Sequence, residues 1–139
     1  LSYLNTLAPP SRVAPDPGLF LQWAPIGRCY RHAVDDPGCA VNREHAAGLR
    51  RLLGVFDPED AEVLEYWMDA SLFSRWKRPP VRLPFDRAVV ERDAAFYRSL
   101  GIRSVSSFGV FLDGEYVRLH GNPPVAEYGA VLRRPFARA

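Results

Sequence analysis

The chain has 139 residues and no apolar run near the about 18–20 that a membrane-spanning helix needs, so no membrane partner is expected. It has little net charge. Its 18 basic and 16 acidic residues leave +2, with the basic ones dispersed, and nucleic acid is not favoured as a partner. Lys77 is the one lysine; the other basic residues are arginines. There is no Gly-rich phosphate loop, no serine elbow and no metal-binding His pair. No cofactor is expected. The opening Leu1-Ser-Tyr-Leu-Asn-Thr6 lacks an initiating Met and a basic n-region, so it does not read as a signal peptide. A chain that opens directly on apolar sequence looks cut from something longer. We expect a soluble protein, cytoplasmic in preference to secreted.

Cysteine is scarce, with Cys29 and Cys39 alone. They could bridge a short loop or remain free. Cys29, His32 and Cys39 are also three potential zinc ligands. A fourth does not follow at zinc-finger spacing, and no metal is expected. What the chain does have is 47% hydrophobic residues, enough for one soluble domain with a core. A full eight-stranded α/β barrel needs roughly 200 residues or more, so this length fits about half of one.

Two polar clusters close apolar runs. Leu19-Phe20-Leu21-Gln22 leads into Trp23-Ala-Pro-Ile-Gly-Arg-Cys-Tyr-Arg-His32, and Ala61-Glu62-Val63-Leu64 into Glu65-Tyr-Trp-Met-Asp69. Such residues just past strand ends are what a (β/α) enzyme gathers at its active face. Around them the pattern predicts an apolar strand over 1–6 and an irregular, proline-rich link over 8–18. A β-compatible run over 19–24 and a loop over 27–41 follow. Asn42 reads as the N-cap of a helix from about 43 to 55. Residues 58–73 fit either a helical stripe (Ala61, Leu64, Met68, Leu72) or a strand over 63–68, and the pattern leans to helix. Asp86 caps a further helix that Gly101 ends. A strand follows over 102–111, and Asn122-Pro123-Pro124 opens a last helix.

In order, Tyr3-Leu-Asn-Thr6 with Pro9-Pro10, Ala24-Pro-Ile-Gly-Arg-Cys-Tyr-Arg-His32, Cys39-Ala-Val-Asn42, Glu65-Tyr-Trp-Met-Asp69, Leu100-Gly-Ile102 and Phe108-Gly109 resemble the bacterial DUF4838 proteins. Arg28, Cys29, His32, Cys39 and Asn42 carry the most specific part. The resemblance implies a glycoside-hydrolase-like barrel related to α-glucuronidase and hexosaminidase-type enzymes. This chain would be the second half of it: an α/β, half TIM-type (β/α) barrel of about four parallel strands with covering helices. It implies strands near 1–6, 19–25, 62–68 and 103–110, which turns 62–68 from helix to strand. One departure stands out. Related sequences end the last strand near an acidic residue, whereas Ser106-Ser-Phe-Gly-Val-Phe111 has no carboxylate until Asp113.

The implied function is carbohydrate hydrolysis, with a non-catalytic carbohydrate-binding or structural half-barrel as the alternative. Glycoside hydrolysis needs two carboxyl groups, about 5–5.5 Å apart for retention or about 6.5–9.5 Å for inversion. Glu65 and Asp69 are the candidate catalytic pair. Four residues of extended strand span ~13 Å, so they act together only if the chain bends after Trp67. Glu65 is favoured, since the seventh strand of many barrel glycosidases ends in a catalytic carboxylate; the rival is a salt-bridged Glu. Arg28 could clamp a sugar carboxylate or hydroxyl, and His32 could donate a hydrogen bond or shuttle a proton. Trp23, Tyr30 and Trp67, with Tyr116, could stack on sugar rings or simply pack. His45 is expected to be solvated. A half-barrel has two open edges and an uncovered, apolar inner face, so a homodimer or higher oligomer is expected.

Overall fold

Strands that return through a helix come back parallel. The computed structural model describes residues 1–133 and has that form. Its strands β1 (Gln22–Trp23), β2 (Glu62–Glu65) and β3 (Ser104–Ser107) make a parallel, open sheet in the order β1-β2-β3. Gln22 pairs with Glu62, and Val63 with Val105. Five α-helices accompany them: α1 (Ala40–Leu52), α2 (Ala70–Phe73), α3 (Arg87–Ser99), α4 (Gly114–His120) and α5 (Val125–Leu132). The fold is therefore mixed α/β.

The strands are shorter than expected, and the first is nearly absent. Of residues 1–6 only Ser2 pairs, in a parallel bridge to Trp23 on the free edge of β1. Leu4–Thr6 is a 3-10 turn instead. Local polar side chains close it: Thr6 Oγ1 accepts from Tyr3 N at 2.8 Å, and Ser2 Oγ donates to Thr6 O at 2.8 Å. The ambiguous 58–73 segment splits. Pro58–Asp60 is 3-10, Glu62–Glu65 is strand, and the short α2 follows. Pairing along both edges of β2 overrides the local helical stripe.

Helix α1 begins three residues before the expected start, with Cys39 rather than Asn42 at its cap position. Aspartates start three others. Asp69, Asp86 and Asp113 each accept from two backbone N–H groups of the first turn. Gly101 ends α3 at φ 88°, and a Cβ there would lie 3.1 Å from Pro58.

Alternation along the strands divides the sheet into two faces. Trp23, Val63 and Glu65 point to the helix side, into a core with Leu49 and Leu52 of α1 and Val90, Ala94 and Tyr97 of α3. Among the described residues, no helix of this kind lies over the opposite face. It was expected to be apolar, but it carries Gln22, Glu62, Ser104 and Ser106. Glu62 accepts from Gln22 Nε2 and from Ser106 Oγ, both at 2.9 Å. Only towards the strand ends does it become apolar, at Leu64 and beyond.

Candidate functional site

The two polar clusters meet, but inside the protein. Arg28 follows β1 and Glu65 ends β2 on the helix side, so the guanidinium reaches the carboxylate across the top of the core. Arg28 Nε lies 3.1 Å from Glu65 Oε1, and both side chains are wholly buried. The other arm of the guanidinium pairs with Asp93 of α3. Asp93 also accepts from Val34 N at 2.6 Å and from Trp67 Nε1 at 3.0 Å. Tyr97 O–H donates to Glu65, and Tyr66 N donates to it at 3.3 Å. Arg28 lies 4.4 Å from the ring centre of Tyr30, whose hydroxyl donates to Pro25 O at 3.1 Å.

One cation and two carboxylates leave this buried cluster one negative charge in excess. Burial, reinforced by Glu65 and opposed by Arg28, pushes Asp93 up to about 6. Burial works to lower Arg28, but Glu65, Tyr97 and Asp93 outweigh it and hold the guanidinium charged. Tyr97 and Tyr30 are raised well above the ordinary phenol value by burial and then by Glu65, so both remain donors.

The expected sugar-facing residues are distributed as follows. Trp23 is sealed in the core, edge-on to Tyr97 at 5.9 Å between ring centres. Trp67 is buried on Asp93, Tyr30 packs edge-on against Phe73 at 5.5 Å, and Tyr116 is a core residue whose hydroxyl accepts from Leu83 N at 3.1 Å. His32 is exposed, with Nδ1 3.4 Å from Cys29 Sγ. His45 is not solvated as expected: its ring contacts Trp23, its Nδ1 is sealed, and burial followed by Arg28 lowers its pKa. Asp69 is buried, and its Oδ1 accepts from Ser71 N, Ser71 Oγ and Leu72 N at 2.9, 2.6 and 3.1 Å.

A cleft of about 290 Å³ lies past the C-terminal ends of the strands, towards the uncovered face. Its wall follows the sheet: Tyr3 beyond the Ser2 bridge, Ile26 beyond β1, Leu64 and Tyr66 at the end of β2, and Phe108 beyond β3. Asp69 lies on its lining, alone among the seven site residues singled out in the sequence. Tyr66 and Phe108 have ring centres 5.0 Å apart. Trp76 completes the wall at 65% exposure. Arg75 and Trp76 both have positive φ, 55° and 56°, a conformation few non-glycine residues adopt. Burial, then Tyr3 and Asp69, pushes the Tyr66 hydroxyl up to about 12, so it serves as a donor.

Sequence reasoning missed Asn42, Asp93 and Tyr97 as partners of the Arg28 region. A signal for Asp93 existed. Val90, Ala94 and Tyr97 form an i, i+4, i+7 stripe, and Asp93 falls inside it, a charge on the buried side of a helix. Comparison with known proteins finds no family model, no curated protein and no solved structure that matches this chain.

Proposed function

We propose that the chain is a carbohydrate-binding half-barrel of the glycoside-hydrolase-like kind, with its sugar site in the aromatic cleft rather than at the Arg28 cluster. The observation that carries the reading is the cleft lining. Tyr3, Tyr66, Trp76 and Phe108 surround one carboxylate at the C-terminal edge of a parallel sheet. Ligands of open α/β sheets bind beyond that edge. A pyranose offers an apolar C–H face to an aromatic ring and hydroxyls to polar groups, which matches an apolar pocket with a few polar contacts. The Arg28 cluster has its polar atoms paired and no exposed face, so its part is to hold the loop and helix in register.

The hydrolase reading keeps one specific support, since Asp69 lines the same cleft. In that reading Asp69 is the chain's own carboxyl, and its partner in acid/base chemistry comes from outside this chain.

Titration with neutral and uronic-acid oligosaccharides, followed by tryptophan fluorescence, tests the proposal. Saturable quenching is expected in the parent, and its loss in Trp76→Ala. Absence of binding to every glycan in the panel would reject it.

A further inference from the structure

We infer that Cys29, His32 and Cys39 form a binding site for one zinc-class divalent ion. The inference is independent of the carbohydrate reading. The sequence offers three donors and no fourth at finger spacing, but the fold brings those three together. Their ligating atoms all lie within 4.8 Å of one another. Cys29 Sγ and His32 Nδ1 are 3.4 Å apart. With Zn–S near 2.3 Å and Zn–N near 2.0–2.1 Å, a tetrahedral ion separates its sulfur and nitrogen ligands by roughly 3.6 Å, and two sulfurs by roughly 3.8 Å. Cys29 and His32 therefore need shifts of a few tenths of an ångström, and Cys39 closes on the ion by at most about 1 Å.

The site is also built from behind. Asn42, fully buried in α1, accepts from Cys29 N at 2.7 Å and donates to Cys29 O at 2.9 Å and to His32 O at 3.0 Å. Arg28 Nη1 donates to Cys29 O at 3.2 Å and His32 O at 3.3 Å. Two buried side chains thus fix the loop backbone, leaving the thiols and the imidazole free of that task. Supports of this kind orient metal ligands. Cys39 stands at the cap position of the 13-residue α1 without making a side-chain cap bond.

Two thiolates and an imidazole select zinc-class ions over magnesium or calcium. Cys39 is buried, Cys29 half-buried and His32 exposed, so the fourth coordination position opens to solvent and is filled by water. Binding releases the two thiol protons and clips the loop after β1 to the start of α1.

The test uses the reduced, chelator-treated chain, titrated with Zn²⁺ and with Co²⁺ as a spectroscopic probe, with native mass spectrometry for stoichiometry. One ion per chain is expected, with thiolate-to-cobalt charge-transfer absorption and both thiols shielded from a thiol reagent by zinc. His32→Ala alters an exposed side chain and keeps the fold, which circular dichroism checks. It should weaken binding by more than the roughly 10–100-fold that loss of an outer-shell partner produces. Cys39→Ser should abolish the two-thiolate spectrum, and His120→Ala should change nothing. No metal uptake, a Cys29–Cys39 disulfide that reforms and excludes the ion, or unaltered affinity in His32→Ala would each overturn the inference.

Discussion

At Glu65 one side chain takes a hydrogen bond from Tyr97 and a charge from Arg28, both out of reach of solvent. Arg28 pairs with both Glu65 and Asp93, so removing the guanidinium leaves two buried carboxylates without it, at about 3–5 kcal/mol. Arg28→Met is therefore expected to lose that much stability in urea unfolding; a loss under about 1 kcal/mol would mean that Glu65 and Asp93 are held by their other partners. Asp93 gives a pH signature. Its carboxyl is raised from 3.8 to about 6 in the folded protein. Between those values the folded state holds a proton that the unfolded state has released. The stabilisation is full below the unfolded pKa and is lost as pH rises through about 6, by up to about 3 kcal/mol at about 1.4 per pH unit. Asp93→Asn removes this titration. Urea unfolding from pH 4 to 7 should show parent stability falling relative to the variant across the window, and a constant difference would contradict the assignment.

Among the elements, helices with a strong start or stop were the most legible in the sequence. Asp86 and Gly101 bound α3 as expected, because a carboxylate cap and a left-handed glycine act locally. Asp86 is exposed, and its carboxylate accepts from Ala88 N at 2.9 Å and Val89 N at 3.3 Å. Asp86→Ala should cost about 1 kcal/mol in thermal or urea unfolding, and no change would show that packing alone holds α3. What depends on distant partners was not legible. The strand at Glu62–Glu65 exists because β1 and β3 flank it, while its own pattern leans to helix. Asn42 reads as a cap, yet its amide is spent on the 29–33 loop, and nothing local announces that loop's position. The candidate site was legible in residue types and not in direction. Glu65 ends a strand as expected, but it falls on the helix-facing side, because Val63 two residues earlier faces the core.

For the whole molecule, that one-residue alternation separates two duties. The helix side of the sheet top carries the buried Arg28 cluster, and the uncovered side leads into the aromatic cleft. Between Gln22 and Ser106 the uncovered face is a hydrogen-bonded polar row, where the sequence leads one to expect an apolar surface. Exposed apolar side chains are spread along the chain, from Leu1, Leu4, Leu19 and Phe20 to Trp76, Phe108 and Val125. On the proposed function, the cleft and not the cluster meets carbohydrate. The most direct test is oligosaccharide binding measured side by side in the parent, Trp76→Ala and Glu65→Gln, at a temperature where all three are folded. Loss of binding in Trp76→Ala at unchanged stability is expected, with parent-like binding and reduced stability in Glu65→Gln. Binding that survives in Trp76→Ala and disappears in folded Glu65→Gln would contradict it.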